Sequence, residues 1–228
     1  MSSLSETLSS LSMLATPEQL LQATGETLYM VVVSALISTA LGLPLGVLLH
    51  VTRKDQFMSR PRLNRVLGAF TNIGRSVPYI ILMVSILPLT RFLVGSSIGT
   101  NAAIVSLTLS AIPFVARLIE GALNEVPPGL IEAAQAMGAK PMQIITKVLV
   151  PEALPGIFNS LTVTVVTLIS YSAMAGAVAG GGLGALGINY GYQRFDGMTM
   201  LVTVIILVAL VQLLQSVGDA LVRRVDHR

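Results

Sequence analysis

Two stretches without a formal charge, residues 27–52 and residues 153–193, set the terms for this chain. About 20 predominantly apolar residues cross a bilayer as a helix, so the first is one crossing long and the second is too long for one. In lipid the backbone must satisfy its own polar groups, which a helix does along its length. Hydrophobic residues make up 53% of the chain and charged residues 11%. That charge content is less than half of the roughly 25% usual in soluble domains, so an all-α integral membrane protein is the expected class. Cysteine is absent, which removes disulfides, thiol catalysis and cysteine metal sites. The two histidines, His50 and His227, lie far apart, and no metal site is expected.

Five crossings are expected. The first covers residues 27–51 and is interrupted in its second half by Gly42, Pro44 and Gly46, which neighbouring helices can tolerate. The second covers residues 66–89 and holds Arg75, with Pro78 a turn later. The third covers residues 97–123, and Arg117 in its last turns can snorkel or pair with Glu120. The fourth covers residues 156–179 and leads into a segment with Gly176, Gly180, Gly181, Gly182, Gly184 and Gly187. Such small residues permit bends and close helix approach. The fifth covers residues 198–214 or slightly more. Intramembrane charge is costly and marks a bundle interior or an aqueous path, so Arg75 is a candidate for a functional or interface-organising role.

Charge asymmetry orients these spans. Arg53, Lys54, Arg60, Arg62 and Arg65 follow the first span, and Lys140, Lys147, Arg223, Arg224 and Arg228 fall on the same side, leaving only Arg91 and Arg194 on the other. The positive-inside rule then places the N-terminus outside and the C-terminus in the cytoplasm. Nucleic-acid binding is a poor reading, because the basic residues sit at a membrane boundary. Residues 1–26 form the expected outer tail and residues 27–228 a single membrane domain. The tail has no Lys or Arg and no uninterrupted apolar core, so it does not read as a cleavable signal peptide. Leu4, Leu8, Leu11 and Met13 or Leu14 approximate helical spacing, which fits a helix on the membrane surface; a disordered tail fits equally well.

Residues 125–152, between the third and fourth spans, cannot cross a membrane. Pro127, Pro128, Pro141, Pro151, Gly129 and Gly138 break the segment into short helices that need a packing partner. Glu132 is expected in the first turn of a helix, where its dipole favours a carboxylate, and Gly138 is the expected stop. Either this is an ordinary cytoplasmic loop or it is shaped to lie in a partner's groove. Glu132-Ala133-Ala134, Gly138 and the ending Val148-x-Val150-Pro151 resemble the EAA loop of ABC importer permeases, with Val148 and Val150 as conservative departures from Ile-x-Leu-Pro. The resemblance implies a coupling helix docked on an ATPase, with Glu132, Ala133, Ala134, Met137 and Gly138 as coupling residues.

GLPLGVLLHVTR, RSVPYIILM, PLTRFLVGSSIG, LIEAAQAMGAKPMQI and YSAMAGAVAGGGLG together resemble the permeases of methionine ABC importers, over most of residues 27–228. The resemblance implies a type I ABC importer permease fold in the bacterial inner membrane. It also implies a complex of two permeases, two cytoplasmic ATPases and an external, often lipid-anchored, methionine-binding protein. A homodimer with the pathway on its two-fold axis is the economical arrangement, since five helices hardly enclose a polar route alone. No G-x-x-x-x-G-K-[ST] occurs, so the chain shows no P-loop and needs no cofactor of its own; ATP belongs to the ATPase. The chain itself reads as a transport subunit and not as an enzyme. Tyr171, Ser172, Ala173 and Met174 are the pathway candidates. The resemblance puts Met174 at the gate, whereas methionine is also a common filler of helix interfaces. A permease for another small amino acid or related solute, an ion-coupled secondary transporter and a passive channel are the alternative readings. The ion-coupled reading lacks buried acids beyond Glu120 and Asp219, both near span ends.

Overall fold

A computed structural model describes residues 13–178 and 180–225, and all regular structure among them is helical. Eleven α-helices follow one another: α1 Pro17–Val51, α2 Pro61–Ser76, α3 Tyr79–Ser85, α4 Leu87–Val94, α5 Thr100–Asn124, α6 Pro128–Ala136, α7 Pro141–Ile144, α8 Val150–Glu152, α9 Leu154–Gly176, α10 Gly182–Leu186 and α11 Gly197–Val225. Two π-helical turns, Ile145–Leu149 and Gly187–Tyr192, join α7 to α8 and follow α10. Helices α1, α5, α9 and α11 are each long and apolar enough to cross a membrane, and α2 with α3 forms a broken fifth candidate.

Helices long and apolar enough for the expected spans are therefore present, or a broken pair in the case of the second, and three of them differ in extent from the expected limits. Helix α1 starts at Pro17, ten residues before the expected boundary. Its start is a reciprocal cap in which the Gln19 N–H donates to Thr16 Oγ1 at 3.3 Å and the Thr16 N–H donates to Gln19 Oε1 at 3.0 Å, with Pro17 pre-set for the first helical position. Residues 1–12 of the expected tail, with Leu4, Leu8 and Leu11, lie outside the described residues. The second expected span is not one helix. Val77 is extended (φ −81°, ψ 122°), as the residue before a proline prefers, and α2 ends there. The last helix runs eleven residues past the expected Leu214, to Val225.

The described residues cluster into two compact units. One comprises the residues up to Ser34, Pro78–Thr108 and Val165–Leu214. In it the start of α1 packs Ala15, Leu20 and Ala23 against Leu183 and Leu186 of α10. Side chains of α1 also satisfy the open N-terminus of α10. The Gly182 N–H donates to Glu26 Oε2 at 2.8 Å and the Leu183 N–H to Thr27 Oγ1 at 2.9 Å. The close approach at Gly182 leaves no room for a side chain, because an added Cβ would lie 2.6 Å from Thr27 Oγ1.

The other unit comprises Ala35–Val77, Leu109–Thr164 and the residues from Gln215 onward. Its core joins Val47 and Val51 of α1, Val115, Ile119 and Leu123 of α5, Ile131 of α6, Leu149, and Ile157 of α9. Gly42 and Gly46 lie one turn apart on α1 and let it close on α5; a Cβ on Gly46 would stand 2.7 Å from the Ala116 carbonyl oxygen. The turn after α1 is tied down by Asn64, whose amide donates to the Leu49 carbonyl at 2.6 Å and to Thr52 Oγ1 at 3.1 Å.

Candidate functional site

The broken loop between α5 and α9 is a well-formed structural element. Pro128 opens α6, and Met137 closes it with near-helical backbone. Gly138 then turns left-handed at φ +78°, its N–H donating to the Gln135 carbonyl at 2.9 Å while the Ala139 N–H donates to the Ala134 carbonyl at 3.1 Å. Those two bonds are the Schellman pattern of helix termination. Nothing lies within 4 Å of a Cβ placed on Gly138, so this position asks for glycine by conformation and not by space.

The helix has two faces. Ile131 and Ala134, three apart, are buried in the core with Leu149 and Ile157. Glu132, Ala133, Gln135, Ala136 and Met137 are exposed, Met137 at 82%. Leu130, Ala133 and Met137 make an exposed apolar stripe at the spacing of one helix face. Of the five expected coupling residues, Ala134 is turned inward, 3% exposed, and anchors the helix. Glu132 is the fifth residue of α6 and lies beyond its first turn, where the dipole effect has faded. Its setting is instead the rim of a polar cavity of about 340 Å³, shared with His50, Asp55, Asn124 and Gln135. Asn124 Oδ1 accepts from Arg53 at 3.0 Å and lies 2.9 Å from His50 Nδ1, joining the end of α5 to the end of α1.

The pathway candidates are divided by their packing. Ala173 and Met174 line an apolar cavity of about 670 Å³ with Ile80, Ile169, Ile188 and Val208. Met174 is 48% exposed and so is not fully occupied as a core filler within one chain. Ser172 points away into the core, where its hydroxyl donates to the Ile169 carbonyl at 2.7 Å. Tyr171 stacks face to face on Tyr79, with ring centroids 4.7 Å apart, and the Tyr79 hydroxyl is 3.0 Å from Ser106 Oγ. Arg75 is exposed near the end of α2, its guanidinium carbon 6.0 Å from the Phe114 ring centroid, within reach of a cation–π contact. Arg117 pairs with Glu120 and reaches Asn72 Oδ1 at 2.9 Å, the local pairing its position suggests.

The segment before α11 holds residues that sequence reasoning missed. Asp196 caps α11: its Oδ1 accepts from the Thr199 N–H at 3.1 Å, and its Oδ2 accepts from the Leu14 N–H at 2.7 Å and from the Thr199 hydroxyl. Burial alone would raise this carboxyl, but the bonds from Thr199, Leu14 and Met198 hold it below the usual carboxylate range. An aspartate immediately before an apolar run was the available signal. Arg194 stacks on Tyr190 at 4.4 Å, and Tyr190 accepts from Gln19 Nε2 at 3.1 Å.

The model of the family described as binding-protein-dependent transport system inner membrane component matches residues 42–228, a span that holds α6, Met174 and Asp196. The chain belongs to this family. As a member, it is an inner-membrane permease of the transport systems that depend on a separate binding protein. It is 64% identical over 209 residues to the probable D-methionine transport system permease protein MetI of Vibrio cholerae, covering 92% of this chain and 93% of the relative. Its identity to the D-methionine transport system permease protein MetI of Escherichia coli K12 is 55% over 157 residues, covering 69% and 72%. Among solved structures, an inward-facing form of the MetNI methionine ABC transporter superposes with a TM-score of 0.92 at 50% identity, covering 94% of this chain and all of that one. An amino acid ABC transporter crystallised with histidines shares the fold at a TM-score of 0.75 and 16% identity.

Proposed function

We propose that this permease is the membrane-spanning subunit of an ATP-driven methionine importer, working as a homodimer with a cytoplasmic ATPase and an external methionine-binding protein. The observation that carries this reading is α6: a short, capped helix anchored by Ile131 and Ala134 that leaves Leu130, Ala133 and Met137 uncovered. An apolar helix face held by a stiff cap is what a groove-binding contact requires. The 64% identity to a probable D-methionine permease supplies the solute. Charge asymmetry supports the side: by the positive-inside rule the basic residues around 53–65 and at 223–224 favour a cytoplasmic α6, where nucleotide is found.

ATP binding closes the partner ATPases and carries the paired α6 helices with them. Helix α9 begins two residues after Glu152 and carries Met174 near its other end, so one continuous helix joins the loop to a residue of the apolar cavity. The flexible thioether of Met174 suits a deformable plug. Nucleotide and loaded binding protein shift the equilibrium only through their different affinities for the outward- and inward-open states. Bond-breaking chemistry belongs to the ATPase.

Uptake by the assembled complex in vesicles, with binding protein outside and ATP inside, tests this reading. Labelled methionine should accumulate only with ATP, and both unlabelled stereoisomers should be tried as competitors beside other amino acids. Accumulation without ATP, or competition by another amino acid and not by methionine, would overturn it.

A further inference from the structure

Between the π-turn Gly187–Tyr192 and α11 the chain holds one aromatic residue in a conformation it disfavours. Phe195 has φ +57°, and among the described residues it is the only one other than glycine with positive φ. A left-handed backbone brings Cβ against the neighbouring carbonyl, and a bulky residue adopts it only when the surroundings impose it. The surroundings are visible. The Gln193 N–H donates to the Ile188 carbonyl at 2.9 Å, the Asp196 N–H donates to the Tyr190 carbonyl at 3.2 Å, and the Asp196 side chain is locked by Thr199 and Leu14. Arg194 is held over Tyr190. Within this chain the strain brings no burial, since Phe195 is 90% exposed, and Tyr192, three residues earlier, is 71% exposed.

We infer that Phe195, with the exposed Tyr192 three residues before it in the chain, is a preorganised knob that inserts into an apolar recess on the external binding protein. This rests on the importer reading above. Three features favour that occupant. The family depends on a binding protein, and an external one would meet the outer ends of the spans. Residues 180–196 are separated from the α6 loop by one candidate crossing, α9, and from Arg223 and Arg224 by another, α11, so the positive-inside rule favours the outer side for them. A rigid, strained aromatic flanked by an arginine has the composition of an interface hot spot. Lipid would accept a freely rotating side chain equally well, and gives no reason for the fixed backbone.

The test uses the assembled permease–ATPase complex in nanodiscs and the solute-binding protein of the same source, loaded with methionine. Binding is measured directly, and ATPase stimulation by the binding protein is followed in parallel. Phe195→Asn suits a left-handed backbone while removing the ring, and Phe195→Tyr keeps an aromatic. The asparagine variant should assemble normally, yet bind the binding protein at least tenfold more weakly and lose most of the stimulation; the tyrosine variant should stay within threefold of wild type. Equal binding by wild type and Phe195→Asn overturns the knob, as does loss of the permease dimer in Phe195→Asn, which would assign the ring to a second copy. Failure of the wild-type complex to respond to any loaded binding protein would overturn the importer reading instead, so the two failures are separate.

Discussion

Gly138 and Gly46 show how differently two glycines can matter. Gly46 is a matter of space, because a Cβ there would collide with the Ala116 carbonyl and Ile119. Gly138 has open space around it and is needed for its φ of +78° alone. Gly138→Ala should therefore cost about 1 kcal/mol locally, the penalty of left-handed backbone for a residue with a Cβ. Hydrogen exchange of residues 128–139 in the assembled complex should show faster opening, with no change elsewhere. The stop at Gly138 and the pairing of Arg117 with Glu120 were legible in the sequence, since both follow from short-range spacing. The inward turn of Ala134 and of Ser172 was not. Which face of a helix is buried depends on neighbours distant in the chain, and in segments apolar on every side no amphipathic pattern reveals it.

At the scale of elements, α6 allows its proposed coupling role to be tested apart from the fold. Glu132 is exposed and lines the 340 Å³ cavity, whereas Ile131 and Ala134 are buried. Glu132→Arg should leave the membrane domain folded and reduce copurification of the ATPase and vesicle uptake severalfold. Wild-type values for both would remove Glu132 from the docking surface. The cap on α11 yields a pH prediction. The Asp196 carboxyl is held below its usual range, so its contribution to stability is complete above the ordinary value of about 3.9 and is lost as pH falls through the lower folded-state value. Asp196→Asn should melt earlier than wild type in detergent at pH 7, and the gap should close as the medium is acidified below about pH 4. Four of the five expected spans appear as continuous helices because charge-free length alone identifies them. The break in the other was also written in the chain, as Val77-Pro78, but hydropathy averaged over a window passes across a proline without registering it.

For the whole molecule, the proposed coupling and pathway residues fall in different compact units. The α6 anchor and its polar cavity belong to one, while Met174, the apolar cavity and the Asp196 cap belong to the other. Helices α1, α5, α9 and α11 each contribute residues to both units. Met174→Ala should leave assembly intact and raise passive leakage or lower the coupling of uptake to ATP hydrolysis, measured as transported methionine per phosphate released. Unchanged leakage and unchanged coupling would return Met174 to the role of packing residue. The interruption at Val77-Pro78 carries a cellular consequence. The carbonyls that end α2 have no successor turn to receive them, and Ser76, Val77 and Pro78 are all exposed in a single chain. Hydrocarbon tolerates no such surface, which must be covered by protein or wetted. A lone subunit should consequently be an orphan that membrane quality-control proteases recognise, with a short half-life when synthesised by itself and a long one when its ATPase and a second copy are supplied.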